Sequence, residues 1–181
     1  GTKLRFTEYQ AAIGLAQLKR LEKQHTIRNE NAVYLKSIME QVSGLVPFRL
    51  YEGVTKCSYH LFPFRYIKEE FAGLNREEFI EAMRLEGVEL SNGYRPLNTG
   101  PFIENAFQSQ NFRRMYSKKA LDYKKYLERT ACPENDILCN EEAVWLPQTA
   151  LVTSKQDIDL IVAAMIKIQK YAAEIKKKLK K

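Results

Sequence analysis

The sequence predicts an α+β fold in which a small antiparallel sheet packs with helices and is preceded by one long helix. Three observations support this class. Apolar residues recur at helical spacing from Thr7 to about Val42. Two short segments, 57–67 and 143–146, are rich in residues that favour strands. Helical patterns lie between and after these few strands, as expected when helices pack on a small sheet.

The long helix is bounded by recognisable signals. Thr7 and Gln10 have the spacing of a capping box, and Gly44 is a suitable stop. About 36 residues at a rise of 1.5 Å would span roughly 54 Å. A compact domain of this chain length is only about 30 to 35 Å across. We therefore expect part of the helix to project beyond the domain, or to pack on a segment outside this sequence.

The elements after Gly44 are expected in this order: a strand at Cys57–Ile67, a helix at Arg76–Glu86, a short strand at Val88–Leu90, an irregular segment at 91–116, helices at 118–130 and 133–142, a strand at Ala143–Leu146, and a helix that begins after Thr153 or Ser154. Asn75 caps the second helix and Gly87 ends it. Pro63 predicts an edge strand or a bulge, because proline has no N–H to donate. The core face of the last helix is predicted to be Ile158, Ile161, Val162, Met165, Ile166 and Ile168.

The charge pattern argues against nucleic-acid binding. The net charge is +7, but seven lysines and one glutamate in residues 167–181 supply +6 of it. Lysines at a helix C-terminus offset the negative end of its dipole, so a solvated helix end explains the excess better than a basic groove does. The longest apolar run, Leu160–Ile166, is far shorter than a membrane helix requires. We expect neither a nucleic-acid nor a membrane partner.

The cysteine pattern indicates free thiols and a cytoplasmic protein. An odd count of three cysteines, with no signal-peptide pattern, favours a reducing compartment. Cys57 and His60 have the spacing of half a zinc site, but no second pair accompanies them, so no metal is expected. The chain also has no phosphate-binding loop and no nucleophile elbow, and its eight glycines are scattered. Self-sufficient catalytic machinery is therefore not expected.

Several segments resemble one enzyme family. The first eighteen residues, GTKLRFTEYQAAIGLAQL, resemble the segment that opens the helix leading out of the large domain in DegT/StrS aminotransferases. Weaker matches follow in the family's order: Tyr59-His60-Leu61-Phe62, Gly87-Val88, Tyr94-x-Pro96-Leu97, Cys132-Pro133, Val144-Trp145-Leu146-Pro147, and the helix at Asp157–Ile168. Trp145 is most similar to the cyclitol- and aminobenzoate-forming branch.

The resemblance implies a fold-type-I enzyme that uses pyridoxal phosphate (PLP), generally as a homodimer. Such enzymes move an amino group from glutamate or glutamine to a keto-sugar or keto-cyclitol. The lysine that forms the Schiff base would lie upstream of Gly1, in a PLP domain absent from this sequence. Residues 1–44 would then be an interdomain helix and 45–181 the small C-terminal domain. This chain alone would hold no catalytic residue, bind no PLP and be inactive.

A few residues could still complete the family's active site. Arg5 matches a family arginine, and Lys3 stands where the family has an asparagine that reaches the cofactor phosphate, so both are candidate cofactor-binding residues. An interfacial ion pair is the alternative role for Arg5. Tyr94 and Asn98 lie in the substrate-facing loop, and His60 lies in the small-domain strand. These three are candidate substrate-binding residues, with ordinary loop capping or strand packing as the alternatives.

Two other readings remain open at this point. The chain could be a stand-alone interaction module that dimerises through its long helix and binds an anionic partner through its lysine-rich end. Such binding would weaken steeply with salt. It could also come from a family member that has lost catalysis and become regulatory, which the absence of the Schiff-base lysine from the parent would reveal.

Overall fold

A computed structural model describes residues 4–179, without the side chain of Leu179. Within this range the strands form one antiparallel sheet in the order β1-β2-β3, namely Leu45–Pro47, Leu61–Tyr66 and Ala143–Pro147. The helices are α1 Glu8–Met39, α2 Arg76–Leu85, α3 Pro101–Gln108, α4 Gln110–Met115, α5 Tyr123–Arg129, α6 Pro133–Ile137 and α7 Lys155–Leu179. The predicted α+β class, with a long helix before a small antiparallel sheet, is confirmed.

Helix α1 starts where its capping box predicts. The Thr7 hydroxyl accepts from the Gln10 backbone N–H, and the Gln10 side chain accepts from the Thr7 backbone N–H. The helix has 32 residues and is therefore about 48 Å long. None of residues 8–27 is buried, and buried positions begin at Arg28. Leu18, for example, is 62% exposed, whereas Leu35 is completely buried.

The predicted edge position of Pro63 is wrong, because β2 is the central strand. Pro63 lies opposite Trp145 of β3, and the N–H and C=O of Trp145 both bond to Ser91 instead of β2. On its other side Pro63 lies beyond the end of β1, where its carbonyl accepts from Phe48 at 3.4 Å. A central strand therefore tolerates this proline because the only bond it forfeits is at the frayed end of β1.

The inner face of the sheet forms the core with the second half of α1, with α2 and with α7. Tyr66 stacks on Phe79 at a centroid distance of 4.4 Å and contacts Phe71 at 4.7 Å. Its hydroxyl donates to the Leu74 carbonyl at 2.9 Å, which satisfies the polar end of a buried ring. Burial raises the pKa of Tyr66 far above its ordinary value.

Two predicted elements differ from the structure, the strand at 88–90 and the irregular segment at 91–116. Residues 88–90 form no strand, and only Ser91 bridges to Trp145. The segment 101–115, expected to be irregular, forms α3 and α4, while α5 begins only at Tyr123. These helices have no buried residue and hold together through a satellite cluster of Phe107, Phe112, Tyr116, Tyr123 and Tyr126. The apolar side chains of this segment thus pack on one another outside the main core.

Helix α7 packs across the core and reaches the turn after β2. Five of its six predicted core residues are buried, but Ile166 is 50% exposed and does not belong to that face. Near its end, the Lys176 ammonium donates to the carbonyls of Ala72 and Gly73 at 3.2 and 2.6 Å. Lys176 is therefore fixed to the fold, unlike the solvated tail that the lysine-rich sequence predicts.

Two further features bear on ligands and membranes. No helix within residues 4–179 has the length and apolar composition needed to cross a membrane. In the same range, no group of three or more histidine, cysteine or acidic side chains is placed to hold a metal ion. A separate contact holds the segment before β2 against α1. The His25 ring lies 3.1 Å from the Cys57 carbonyl, and the Asn29 side chain donates to the same carbonyl.

Candidate functional site

A cavity of about 700 Å³ lies on the outer face of the sheet. Alternation along the strands turns Arg65 and Trp145 outward, while Phe64 and Leu146 point into the core. Residues of the loop 94–98 and of the segment 132–139 also line the cavity. The cavity is lined mainly by apolar and aromatic side chains, as small-molecule sites usually are.

Trp145 forms the floor of the cavity, and Tyr94 stands against it. The two rings are 4.5 Å apart in an edge-to-face arrangement. Gly93 has a φ of +74° and runs so close to the indole that a Cβ there would lie 2.9 Å from it. The antiparallel bridge between Ser91 and Trp145 holds the start of this loop. The loop geometry therefore fixes the Tyr94 ring over the cavity.

Asn98 is the second predicted substrate-binding residue in the cavity wall. Its amide nitrogen donates to the Thr130 carbonyl at 2.8 Å, which joins the loop 94–98 to the end of α5. The side chain is half-buried. This bond is the loop-capping role considered from the sequence, and it holds the amide at the cavity wall.

Two basic side chains, Arg65 and Arg95, line the cavity and differ in their partners. Arg65 pairs with Glu142 at 2.6 Å, a hydrogen bond that raises the pKa of Arg65. Outside the cavity, Lys68 pairs with Glu141 at 2.6 Å, which lowers the pKa of Glu141. Arg95 lines the cavity, is exposed and forms no ion pair within residues 4–178. Arg95 is thus the cation available to a ligand.

The remaining predicted site residues lie elsewhere. His60 is exposed at the start of β2 and does not line the cavity. It follows Tyr59, a buried residue held at a φ of 46°. Arg5 is exposed ahead of α1, and Lys3 lies outside the described residues. The structure thus brings Tyr94 and Asn98 together and leaves His60 and Arg5 apart from them.

Sequence reasoning missed part of the cavity. Trp145 marks the cyclitol- and aminobenzoate-forming branch in the sequence, and its outward position on an alternating strand is a further signal, for a ligand-facing surface. Arg95 stood between two noted residues and was not selected. Cys132 and Cys139 also line the cavity, and both are free thiols. Cys132 precedes α6 and belongs to the Cys132-Pro133 match, whereas Cys139 reaches the cavity through the turn 138–142 after α6, which no motif indicates.

The cavity does not fit PLP as a self-contained site. A PLP enzyme holds its cofactor through a lysine, and no lysine is among the described residues that line the cavity. The glycines with positive φ, which could bring backbone N–H groups to a phosphate, are dispersed at 44, 53, 73, 87 and 93. The described residues that line the cavity thus offer apolar and polar contacts to a ligand but no lysine to anchor PLP.

Residues 1–122 match the DegT/DnrJ/EryC1/StrS aminotransferase family. The chain belongs to this family. The match covers the opening segment, the small-domain strand and the loop 94–98, so the family resemblance based on these motifs is confirmed.

Relatives of this family member include two named L-glutamine:2-deoxy-scyllo-inosose aminotransferase. The protein from Streptoalloteichus tenebrarius is 24% identical over 97% of this chain and 40% of its own length. The one from Streptomyces lividus is 25% identical over 93% of this chain and 39% of its own length. The chain therefore spans about two fifths of the length of these relatives.

Solved structures agree on the fold of this family member. The structure of 3-amino-5-hydroxybenzoic acid synthase matches with a TM-score of 0.62 and 21% identity, over 92% of this chain and 41% of that one. An aminotransferase from Psychrobacter cryohalolentis matches with a TM-score of 0.56 and 22% identity, over 91% and 39% respectively. The cyclitol and aminobenzoate branch indicated by Trp145 is thus represented among the relatives.

Proposed function

We propose that this chain is the small C-terminal domain of a PLP-dependent aminotransferase, that it supplies the substrate-facing wall of the active site, and that it is inactive alone. The observation that carries the proposal is the cavity over Trp145, whose lining among residues 4–179 includes Tyr94, Asn98 and Arg95 but no lysine. In this assignment residues 1–44 are the interdomain helix, residues 45–181 are the small domain, and a PLP domain lies upstream.

The substrate class is a keto-cyclitol or keto-sugar, with glutamine or glutamate as the amino donor. An apolar floor formed by Trp145 and Tyr94 suits the C–H face of a six-membered ring, because stacking removes apolar surface from water. Asn98 and Arg95 offer polar groups for hydroxyl or carboxylate substituents at the wall. The names of the inosose aminotransferases support this substrate class.

The cofactor would be held largely by other parts of the enzyme. When bound, PLP accepts the amino group and acts as the electron sink of the reaction. The Schiff-base lysine would come from the upstream domain. Lys3 and Arg5 would meet the cofactor phosphate of a neighbouring subunit, in a homodimer. His60 would contribute a further polar contact to substrate if dimerisation or the upstream domain brings it to the site.

A polypeptide extended upstream tests the proposal directly. We expect a visible absorbance band with added PLP, removable by borohydride, in the extended polypeptide only, together with transamination of a keto-cyclitol by glutamine. In that polypeptide, replacing Trp145 with Leu should raise KM by about two- to tenfold, since an aromatic contact contributes roughly 0.5 to 1.5 kcal/mol. Leu160→Ala, at an exposed position on α7, is the matched control.

Two results would contradict the proposal. A stoichiometric, reducible band in the 181-residue chain would place the Schiff-base lysine within it. No band in either polypeptide would favour a non-catalytic role, either regulatory or as an interaction module. The module is a specific alternative because the first half of α1 exposes Tyr9, Leu15 and Leu18. It predicts a stable partner complex that forms without the upstream domain and weakens as salt rises.

A further inference from the structure

Arg76 is a buried cation at the first position of α2, and its side chain is only 5% exposed. Its Nε and Nη2 donate to Glu77 at 3.1 and 2.8 Å. The Glu77 side chain is 60% exposed, so this pair lies at the surface end of the guanidinium. The other terminal nitrogen, Nη1, points inward.

The Nη1 atom of Arg76 faces backbone carbonyls from three different segments. It donates to Cys139 at 2.8 Å, and the carbonyls of Ala143 and Asn92 lie at 3.3 and 3.5 Å. Cys139 belongs to the π-helical turn 138–142, and Ala143 is the first residue of β3. Asn92 lies in the loop that leads to Tyr94.

These three segments are the walls of the cavity. Cys139, Ala143, Trp145 and Tyr94 all line it, whereas Arg76 does not. The Cys139 carbonyl lies near a helix end, where carbonyls lack an intrahelical partner and need another donor. A planar, permanently charged guanidinium can bond to several carbonyls at once, which the single ammonium of lysine does less well.

We infer that Arg76 is a positioning residue for the cavity. It fixes the loop 91–98, the turn 138–142 and the start of β3 relative to one another, and so holds Tyr94 over Trp145 without touching a ligand. The identity of the ligand rests on the proposed function, but the positioning role does not. Substitution of Arg76 loosens the cavity walls while the core face of the sheet keeps its packing.

The experiment compares Arg76→Gln and Arg76→Lys with Arg84→Gln in the 181-residue chain. Arg84 lies on the same helix, and its exposed side chain bonds to Glu81 alone among the described residues, so it is a matched control. Trp145 is the only tryptophan, and its quenching by acrylamide reports on the cavity floor. The labelling rate of Cys139, measured by peptide mass spectrometry relative to Cys57, reports on the turn.

Both Arg76 variants should label about tenfold faster at Cys139, because losing a charge-assisted bond lowers the free energy of local opening. Trp145 should be quenched more readily, and Cys57 should keep its rate. In an active extended enzyme, Arg76→Lys should raise KM more than it lowers kcat. The glutamine variant tests loss of the charge, and the lysine variant tests whether charge alone is sufficient.

Several outcomes would overturn the inference. A folded Arg76→Gln with unchanged Cys139 labelling and Trp145 quenching would show that the walls do not depend on Arg76. An equal acceleration at Cys57 would indicate general destabilisation, as would failure of both variants to fold. If only the glutamine variant fails to fold, Cys139 labelling and Trp145 quenching in the lysine variant, with Cys57 as the reference, test the inference in the same way. The labelling and quenching measurements need no cofactor, ligand or upstream segment, so failure of the proposed function leaves them unaffected.

Discussion

Gly93 is under two constraints at the residue scale. Its φ of +74° lies in the left-handed region, and a Cβ would meet the Trp145 indole at 2.9 Å. We predict that Gly93→Ala lowers the free energy of unfolding by about 2 to 3 kcal/mol, roughly 1 to 2 of it from the backbone conformation. Urea unfolding followed by Trp145 fluorescence measures the change.

Gly53 separates the two contributions. It has a φ of +86°, but no atom lies within 4 Å of its hypothetical Cβ. Gly53→Ala should therefore show the backbone cost alone and leave the Trp145 emission unchanged. Equal losses for the two alanine variants would mean that the contact between Gly93 and the indole contributes nothing.

The candidate site could be predicted only where a residue carries its own signal. Tyr94 and Asn98 stood in a turn-rich segment within a family motif, and both line the cavity. Arg76 gave no such signal, because its three carbonyl partners come from segments 16, 63 and 67 positions away. The edge position that Pro63 predicts is wrong for a related reason. Whether its missing N–H costs a hydrogen bond depends on where the neighbouring strand ends, which the residue itself does not indicate.

At the scale of the element, Asp157 stabilises the start of α7. Its carboxylate accepts from the Ser154 hydroxyl at 2.6 Å, the Thr153 hydroxyl at 2.5 Å and the Ser154 N–H at 3.2 Å. These hydrogen bonds, that of the Ser154 side chain first, lower the pKa of Asp157 below its ordinary value of 3.8. The folded chain therefore favours the ionised carboxylate.

This shift has a defined sign. Because the pKa is lower in the folded chain, the stabilisation is complete above about pH 4 and is lost as the pH falls through the folded value. Asp157→Asn should lower the free energy of unfolding at pH 7, and the difference from the unchanged chain should shrink toward pH 3. Urea titrations at both pH values measure this. Glu174→Gln, an exposed change on the same helix, should have little effect at either pH.

Elements with local end signals were predicted well. The capping boxes at Thr7 and Asn75 place the starts of α1 and α2 correctly. The helices between 101 and 115 were missed because their apolar side chains face a satellite cluster instead of the core. Helical periodicity places Ile166 at the edge of the apolar stripe of α7, next to the core residues. Whether a residue at that edge is buried depends on tertiary packing, and here Ile166 is exposed.

At the scale of the whole molecule, the first half of α1 remains uncovered on several sides. Successive residues are separated by about 100° around a helix, so Ile13 and Leu15 point in nearly opposite directions. Both are exposed, at 47% and 63%. A helix that is apolar around its circumference is usually buried by its surroundings. The proposed upstream domain would supply that cover.

Without such cover we predict that the chain self-associates. Leu18→Glu should reduce the sedimentation-average mass at high concentration, because a charge placed in an apolar contact is costly to desolvate. It should leave the unfolding free energy nearly unchanged, whereas Leu35→Ala should cost about 2 to 5 kcal/mol. Gln17→Glu adds the same charge at a polar position and is the control. A monomeric unchanged chain at the highest concentration would contradict the prediction.

The distribution of charge is also less uniform than the sequence reading assumed. Residues 101–130 hold seven basic and three acidic residues, a local excess of +4. The near neutrality outside the lysine-rich end therefore conceals a basic satellite of α3, α4 and α5 beside an acidic remainder. The net charge of the whole chain does not show this excess, and the fold shows that it belongs to a satellite with no buried residue.

The hydrogen bonds from Lys176 to the Ala72 and Gly73 carbonyls should protect its amine from chemical modification. Acylation of that amine requires the Lys176 side chain to release both carbonyls first. The adjacent Lys177 and Lys178 are exposed and carry no such requirement. An acetylating reagent or enzyme should therefore modify Lys177 and Lys178 faster than Lys176, although the three lysines are consecutive. The difference in rate would report whether the end of α7 is packed on the fold.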